Sequence, residues 1–203
     1  YLTRAMLRAS WGNAVANPAS RFLEDIPEKL MYWRREEPGV GGWDDDWGAS
    51  GWSSGSFVVG SDHAGYPMKR FLMEKLTEAG CTVEDKGTYD EVSCNTQPYA
   101  QAVAEEIAAH GEKLGILVCG TGAAMCIMAN KVKGVRAVIA HDLFTAQMIR
   151  THNDANVLCL GQRIIANGMA WEIVRTWLSH EPLGGKYADR RKSIALYEEA
   201  HMK

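Results

Sequence analysis

The chain has 203 residues, 46% of them hydrophobic, and a formal net charge of −3. That length supports one or two small domains with buried cores. The mild negative charge argues against a surface built to coat nucleic acid, so that any anion would need a local positive pocket. No apolar run approaches roughly 18 residues, so no membrane partner is expected. Five cysteines, at positions 81, 94, 119, 126 and 159, form no Cys-x-x-Cys pair. They point to a reducing compartment and not to a disulfide framework. No signal-peptide pattern is read, and the expected location is cytoplasmic.

Residues 1–55 hold five of the seven tryptophans and little periodic structure. Tyr1 to Trp11 reads as a strand or a short helix. Ser20 would cap a short helix running towards Leu30. Residues 38–55 carry six glycines and the Asp44-Asp45-Asp46 run, which reads as a linker. The aromatic and acidic pattern leaves a docking motif as the alternative. With few aliphatic residues to bury, residues 1–37 are expected to be poorly structured.

A compact domain is expected over 56–203. Ser56 to Gly60 reads as a strand. Tyr66 to Ala79 places Met68, Phe71, Leu72, Leu76 and Ala79 at helical spacing, with Gly80 as the stop. Cys81 to Glu84 is a second strand. Gln97 to His110 is a helix burying Ala100, Val103, Ala104 and Ile107. A strand ending at Cys119 and a helix through Asn130 follow. Val135 to Ala140 and Asn156 to Leu160 are strands, Leu143 to His152 and Gly168 to Leu178 are helices, and Lys186 to Ala200 is a charged closing helix. This alternation predicts an α/β fold: three layers, α-β-α, around a doubly wound, Rossmann-like parallel sheet of about five strands with a C-terminal helix.

Ligands of such sheets gather beyond the carboxyl ends of the strands. The residues expected there are Ser61-Asp62-His63, Cys119-Gly120-Thr121 and His141-Asp142. The run Gly115-Ile116-Leu117-Val118-Cys119 ends in a thiol. Then Gly120-Thr121-Gly122 turns tightly into a helix, whose first N–H groups would face the same spot. The first turn lacks Gly-x-Gly-x-x-Gly, so no nicotinamide fingerprint is present.

Two resemblances add to this. Tyr1-Leu2-Thr3-Arg4-Ala5, Trp11-Gly12 and Asn17-Pro18-Ala19-Ser20-Arg21-Phe22-Leu23-Glu24-Asp25-Ile26-Pro27 resemble the C-terminal end of the motor core of superfamily 1 helicases related to UvrD and PcrA. No nucleotide-binding loop accompanies them, so no helicase activity and no nucleic-acid partner is implied. Over about 56–200 the likeness is closer. Gly60-Ser61-Asp62-His63-Ala64-Gly65-Tyr66, Asp85-Lys86-Gly87-Thr88-Tyr89, Cys119-Gly120-Thr121-Gly122, Ala129-Asn130-Lys131, Gly134-Val135-Arg136-Ala137, His152-Asn153-Asp154-Ala155-Asn156-Val157 and Gly184-Gly185 resemble the ribose-5-phosphate isomerase B family, which also contains the galactose-6-phosphate isomerase subunits. The resemblance implies an aldose–ketose isomerase with no metal or other cofactor. It also implies a homodimer or dimer of dimers, with active sites shared between subunits.

That reaction moves a proton between neighbouring carbons through an enediolate, and needs a base and an oxyanion cradle. Cys119 fits the base, as the resemblance also implies. The backbone N–H groups of Gly120, Gly122, Ala123 and Ala124 would hold the enediolate, and Thr121 would orient the ring oxygen or an open-chain hydroxyl. The resemblance assigns ring opening to His152, with Asn153 beside it in the oxyanion cradle. Asp62 would bind sugar hydroxyls. His63 fits the phosphate end, and Arg163, Lys186 and Arg190 match basic positions that contact phosphate in relatives. Lys186 and Arg190, four apart, share a helix face, whereas Arg191 and Lys192 are expected to be solvated. His141 suits substrate handling or a helix-start cap equally.

Three departures stand out. Relatives carry Asp-Tyr-Pro where this chain has Asn95-Thr96-Gln97, so an aromatic wall over the sugar is lost. Ala124 replaces the last glycine of Gly-Thr-Gly-x-Gly, which is harmless if that position is already helical. Lys186-Tyr187 stands where relatives have Arg-His. The leading expectation is isomerisation of ribose 5-phosphate. The alternatives are a four- or six-carbon sugar phosphate, or a non-catalytic sugar-phosphate-binding or assembly subunit. Cys119 sealed in the core, with no anion-binding group within reach, would remove the basis for the isomerase reading.

Overall fold

The structure, a computed structural model, describes residues 7–10, 13–16 and 55–202. The chain divides into two units, Tyr1–Asp46 and Trp47–Lys203. In the first, β1 (Leu7–Ser10) pairs antiparallel with β2 (Asn13–Ala16), Leu7 opposite Ala16 and Ser10 opposite Asn13. The helix expected after Ser20, the linker over 38–55 up to residue 54 and most of the helicase-like stretch lie outside the described residues.

In the second unit, strands and helices alternate. β3 (Ser56–Ser61) leads to α1 (Tyr66–Glu78) and β4 (Thr82–Asp85). Then come α2 (Gln97–Ala109), β5 (Leu114–Cys119) and α3 (Ala123–Ala129). β6 (Ala137–Ile139), α4 (Leu143–Thr151), β7 (Val157–Gly161), α5 (Asn167–Leu178) and α6 (Lys186–His201) complete it. β6 is shorter than the apolar run suggests, because the Arg136 amide donates to the Asn156 side chain and so leaves the ladder.

The sheet is five-stranded and parallel, in the order β4-β3-β5-β7-β6. β5 lies at the centre, and every one of its residues is buried. Its continuous apolar run follows from being covered on both faces. Side chains alternate between the faces. Phe57, Val59, Ile116, Val118, Leu158 and Leu160 pack against α1, α4 and α5. Val58, Leu117, Cys119, Val157 and Cys159 pack against α2 and α3. This is the expected three-layer fold.

The chain leaves β3 towards β4 on one side and returns to place β5 on the other. The winding therefore reverses between β3 and β5, the point at which open sheets of this kind gather ligands at the strands' carboxyl ends. Asp62 directly follows β3, and Cys119 ends β5. Among the described residues of this unit, α6 stands outside this packing: none of its residues is buried, and Ile194, Leu196 and Tyr197 are exposed. Among the described residues no helix is long and apolar enough to cross a membrane.

Candidate active site

The loop after β3 is seated on β5 by backbone contact. The Asp62 amide donates to the Val118 carbonyl at 3.2 Å. Gly65 lies so close that a Cβ there would fall 2.3 Å from the Val118 oxygen and 2.9 Å from the Cys119 nitrogen. Asp62 is 6% exposed. Its Oδ1 accepts the amides of Ala64 and Gly65 at 3.0 and 3.1 Å, and its Oδ2 accepts the Thr96 hydroxyl at 3.0 Å. His63 Nδ1 accepts the Cys94 amide at 3.2 Å. A backbone N–H can only donate, so the ring proton sits on Nε2, which remains a donor.

Cys119 is 3% exposed. Its sulfur accepts the Gly122 amide at 3.1 Å. Gly122 has φ of 81° and lies tightly against the Leu160 backbone, so the turn requires glycine there. Thr121 is exposed, and its Oγ1 accepts the Ala123 amide at 3.4 Å. Ala124 is the second residue of α3, so alanine in place of glycine carries no backbone strain. The Arg163 amide donates to the Gly120 carbonyl at 3.0 Å, and the exposed Arg163 side chain runs alongside Gly120. The thiol is thus buried under a turn that is open at Gly120 and Thr121, with a guanidinium beside it. The Arg163 side chain lies next to Gly120 of that turn.

Two further thiols lie behind this turn. Burial pushes the Cys159 thiol well up, and its hydrogen bond to Cys126 adds to this. The same bond brings Cys126 down to about 7. Titration alone would therefore favour Cys126 as a base. Position decides against it: Cys126 lies down α3 and donates to the carbonyl of Ala137, at the start of β6 and away from the rim.

The remaining expected residues form a second group. His152 follows α4, and its ring stacks on Tyr187 with centroids 4.1 Å apart. Lys186 Nζ and Arg190 Cζ stand over the same Tyr187 ring at 5.1 and 5.7 Å. The two cations do share a face, as their spacing predicts. Asn153 is exposed beside them. Arg191 corrects the sequence reading: it is not solvated but donates to the carbonyls of His152 and Leu183 at 3.1 and 2.9 Å. His141 is not a helix cap. Asp142 caps α4, accepting the Thr145 amide at 2.7 Å, while His141 Nε2 is buried without a partner.

Sequence reasoning missed what holds His152-Asn153-Asp154 in place. Asp154 has φ of 50°, a conformation that aspartate tolerates better than most residues. Its carboxylate is paired with Arg150 at 2.8 Å and Arg136 at 3.1 Å. The motif with two arginines nearby in the chain was the available signal.

The two groups lie at opposite ends of the sheet. α4 starts at the carboxyl rim after β6 and runs back, so His152 is at its far end. The carbonyl of Asn156, four residues on, accepts the amide of Gly115 near the start of β5. Cys119 ends the same strand, about 13 Å further along at roughly 3.3 Å per residue. No hydrogen bond or ring contact of His152 reaches Cys119. Among the described residues no three His, Cys, Asp or Glu side chains are grouped to hold a metal.

A parallel sheet wound about a switch point, with a thiol at its rim, is an α/β fold whose candidate site lies at the strands' carboxyl ends. A profile of the ribose/galactose isomerase family matches residues 57–194, and the chain belongs to that family of aldose–ketose isomerases. It is 39% identical to ribose-5-phosphate isomerase B of Escherichia coli over 142 residues, covering 70% of this chain and 95% of that protein. It is also 39% identical to D-erythrulose-4-phosphate isomerase of Pectobacterium atrosepticum over 145 residues, covering 70% and 95%. Among solved structures, ribose-5-phosphate isomerase B of Clostridium thermocellum matches with a TM-score of 0.70 and 39% identity over 72% of this chain and 99% of that one. The enzyme of Mycoplasma genitalium, with bound ribulose-5-phosphate, matches with a TM-score of 0.70 and 35% identity, covering 72% and 97%.

Proposed function

We propose that the chain interconverts a phosphorylated aldose and its ketose, with D-ribose 5-phosphate and D-ribulose 5-phosphate as the leading pair. The observation that carries this is Cys119 at the end of the central strand, beneath an open turn, with the Gly122 amide on its sulfur and Arg163 alongside. The cysteine thiolate takes the proton from C2. The resulting enediolate spreads its charge onto oxygen held by the backbone amides of Gly120 to Ala124, with Thr121 placing the neighbouring oxygen. The thiol then returns the proton to C1 while the hydroxyl proton on O2 passes to O1, so one C–H and one O–H bond break, one of each forms, and the step is redox-neutral within the sugar. Before this the furanose must open: a proton leaves the anomeric hydroxyl and another reaches the ring oxygen. His152 carries this transfer, with Asn153 in the oxyanion cradle. Asp62 accepts a sugar hydroxyl. Arg163, Lys186, Arg190 and the Nε2–H of His63 take the phosphate, arginine through its fork and lysine as a point charge.

Cys119 and His152 lie at opposite ends of one domain, so a site using both is assembled between two copies, in a homodimer or dimer of dimers. The exposed apolar side chains Ile127, Phe144, Ile194, Leu196 and Tyr197 support a covering partner. A four-carbon substrate is the second reading, because the tetrulose-phosphate and pentose-phosphate isomerases are equally identical to this chain.

The test combines a screen of four- to six-carbon aldose phosphates with subunit mixing. Cys119→Ala and His152→Ala should each lose about a thousandfold in kcat, in line with general acid–base catalysis, while still binding sugar phosphate. Co-refolded in equal amounts, the two inactive variants should regain about a quarter of the parent rate, since half the dimers are mixed and each of those has one intact site. No recovery would reject the shared site. Full activity in Cys119→Ala would reject the base.

A further inference from the structure

Thr96 begins α2, in the position where a threonine hydroxyl ordinarily accepts one of the helix's own free amides. It makes no such cap. Its hydroxyl instead donates across 34 residues of sequence to Oδ2 of Asp62, at 3.0 Å. The cap interaction is given up for a bond to a carboxylate at the rim.

The surroundings give that bond a purpose. An ionised carboxylate has about four lone-pair sites. Two on Oδ1 are taken by the Ala64 and Gly65 amides, and one on Oδ2 by Thr96. One acceptor site remains on Oδ2, and the carboxylate cannot rotate without losing bonds on both oxygens. Two residues before Thr96, the Cys94 amide holds His63 Nδ1. Cys94 to Thr96 therefore grips the two consecutive rim residues Asp62 and His63. The connection between β4 and α2 has few other ties there: Val92 is 71% exposed, and Asn95 and Gln97 are exposed as well.

We propose that Thr96 is a positioning residue of the substrate site: its hydroxyl locks Asp62 so that the one acceptor site left on the carboxylate meets a hydroxyl of the sugar. The inference rests on the isomerase reading above. Thr96 touches no reacting atom and acts only through Asp62. A sugar hydroxyl bound this way is held in the ground state and in the transition state alike, so losing the lock raises KM and leaves kcat in place.

The experiment measures kcat, KM and melting temperature for the parent chain and for Thr96→Val, Thr96→Ser, Asp62→Asn and the Asp62→Asn/Thr96→Val double variant, on the best aldose phosphate of the screen. Thr96→Val should raise KM about tenfold, the scale of one hydrogen bond to a charged group, with kcat within about twofold. Thr96→Ser keeps the hydroxyl and should restore KM. In the Asp62→Asn background Thr96→Val should add less than about twofold, because the group it acts through has already changed. An unchanged KM in Thr96→Val, a serine variant as impaired as valine, or full additivity in the double variant would each overturn the proposal. If valine fails to fold, Thr96→Ala removes the same hydroxyl and takes its place in both the single and the double variant, with the same expected and overturning results. A parent inactive on every sugar of the screen would overturn the isomerase reading itself and this inference with it.

Discussion

Gly65 offers the sharpest test of how the site is built. Its backbone presses on β5 one residue before Cys119, and φ there is −101°, so glycine is needed for space and not for conformation. A methyl group at this position would lie 2.3 Å from the Val118 oxygen and 2.5 Å from its carbon, whereas ordinary contact begins at 3.4 Å. Both atoms are backbone of the central strand and cannot yield cheaply. In Gly65→Ala the loop 61–65 must therefore lift by about 1 Å, at a cost of about 2–3 kcal/mol typical of overpacking. At about 2–4 °C per kcal/mol for a domain of this size, melting should fall by about 4–12 °C. Asp62 and His63 move with the loop, and a misplacement of about 1 Å should lower kcat/KM about a hundredfold. The control is Gly111→Ala, where an added Cβ meets nothing within 4 Å. It should match the parent in both measurements. Scanning calorimetry and steady-state kinetics on the purified chains read the outcome. Parent-like melting in Gly65→Ala would refute the close approach. A lowered melting point with intact kcat/KM would refute the role of the loop in holding substrate.

Lys69 is fully buried and donates to Asp85 and to the Thr88 carbonyl, each at 2.6 Å. Lys69→Met keeps the stem but takes the donor from both acceptors, and Asp85 keeps the Gly87 amide at 2.8 Å. Asp85 retains some contact with water, so the loss should be about 2–3 kcal/mol, below the full cost of breaking a buried pair, and urea unfolding would show it as a lower midpoint at constant slope. Glu106 is held at about 2, below its ordinary 4.5, by hydrogen bonds from Lys113 and Lys86. A carboxylate lowered by folding stabilises fully above pH 4.5 and ceases to do so as pH falls towards 2. Melting temperature across that window should decline less steeply in Glu106→Gln than in the parent, and an identical slope would show that the lysines do not hold this carboxylate.

The layered sheet was legible because its signals are local. Continuous apolar runs such as Ile116-Leu117-Val118 and the helical spacing of Met68, Leu72 and Leu76 report burial directly, and the observed elements lie within a few residues of those read from the sequence. The rim residues followed from topology, since whatever ends a parallel strand reaches the same edge. Less was visible where a side chain serves a distant backbone. Arg191 looked solvated by helical position, yet its guanidinium is bound to the carbonyls of His152 and Leu183. Thr96 looked only like the loss of a tyrosine, because nothing in its neighbours names Asp62 as partner. His141 and Asp142 were adjacent candidates, and only the hydrogen bond from Thr145 distinguishes the cap. The separation of Cys119 from His152 required the direction of α4 through space, which spacing along the chain does not contain.

The placement of the thiol on β5 divides labour between stiff and pliable parts of the molecule. That strand has a hydrogen-bonded neighbour on each side, β3 and β7, and such central elements open only with global unfolding. Asp62 and His63, proposed above to meet the substrate, are instead clasped by Thr96 and Cys94 from a connecting segment, where substitutions rarely endanger folding. On the roles proposed for Cys119 and Asp62, changes around residues 89–96 would retune which sugar is accepted while the sulfur stays fixed in its bed, so that substrate choice and chemistry would vary independently.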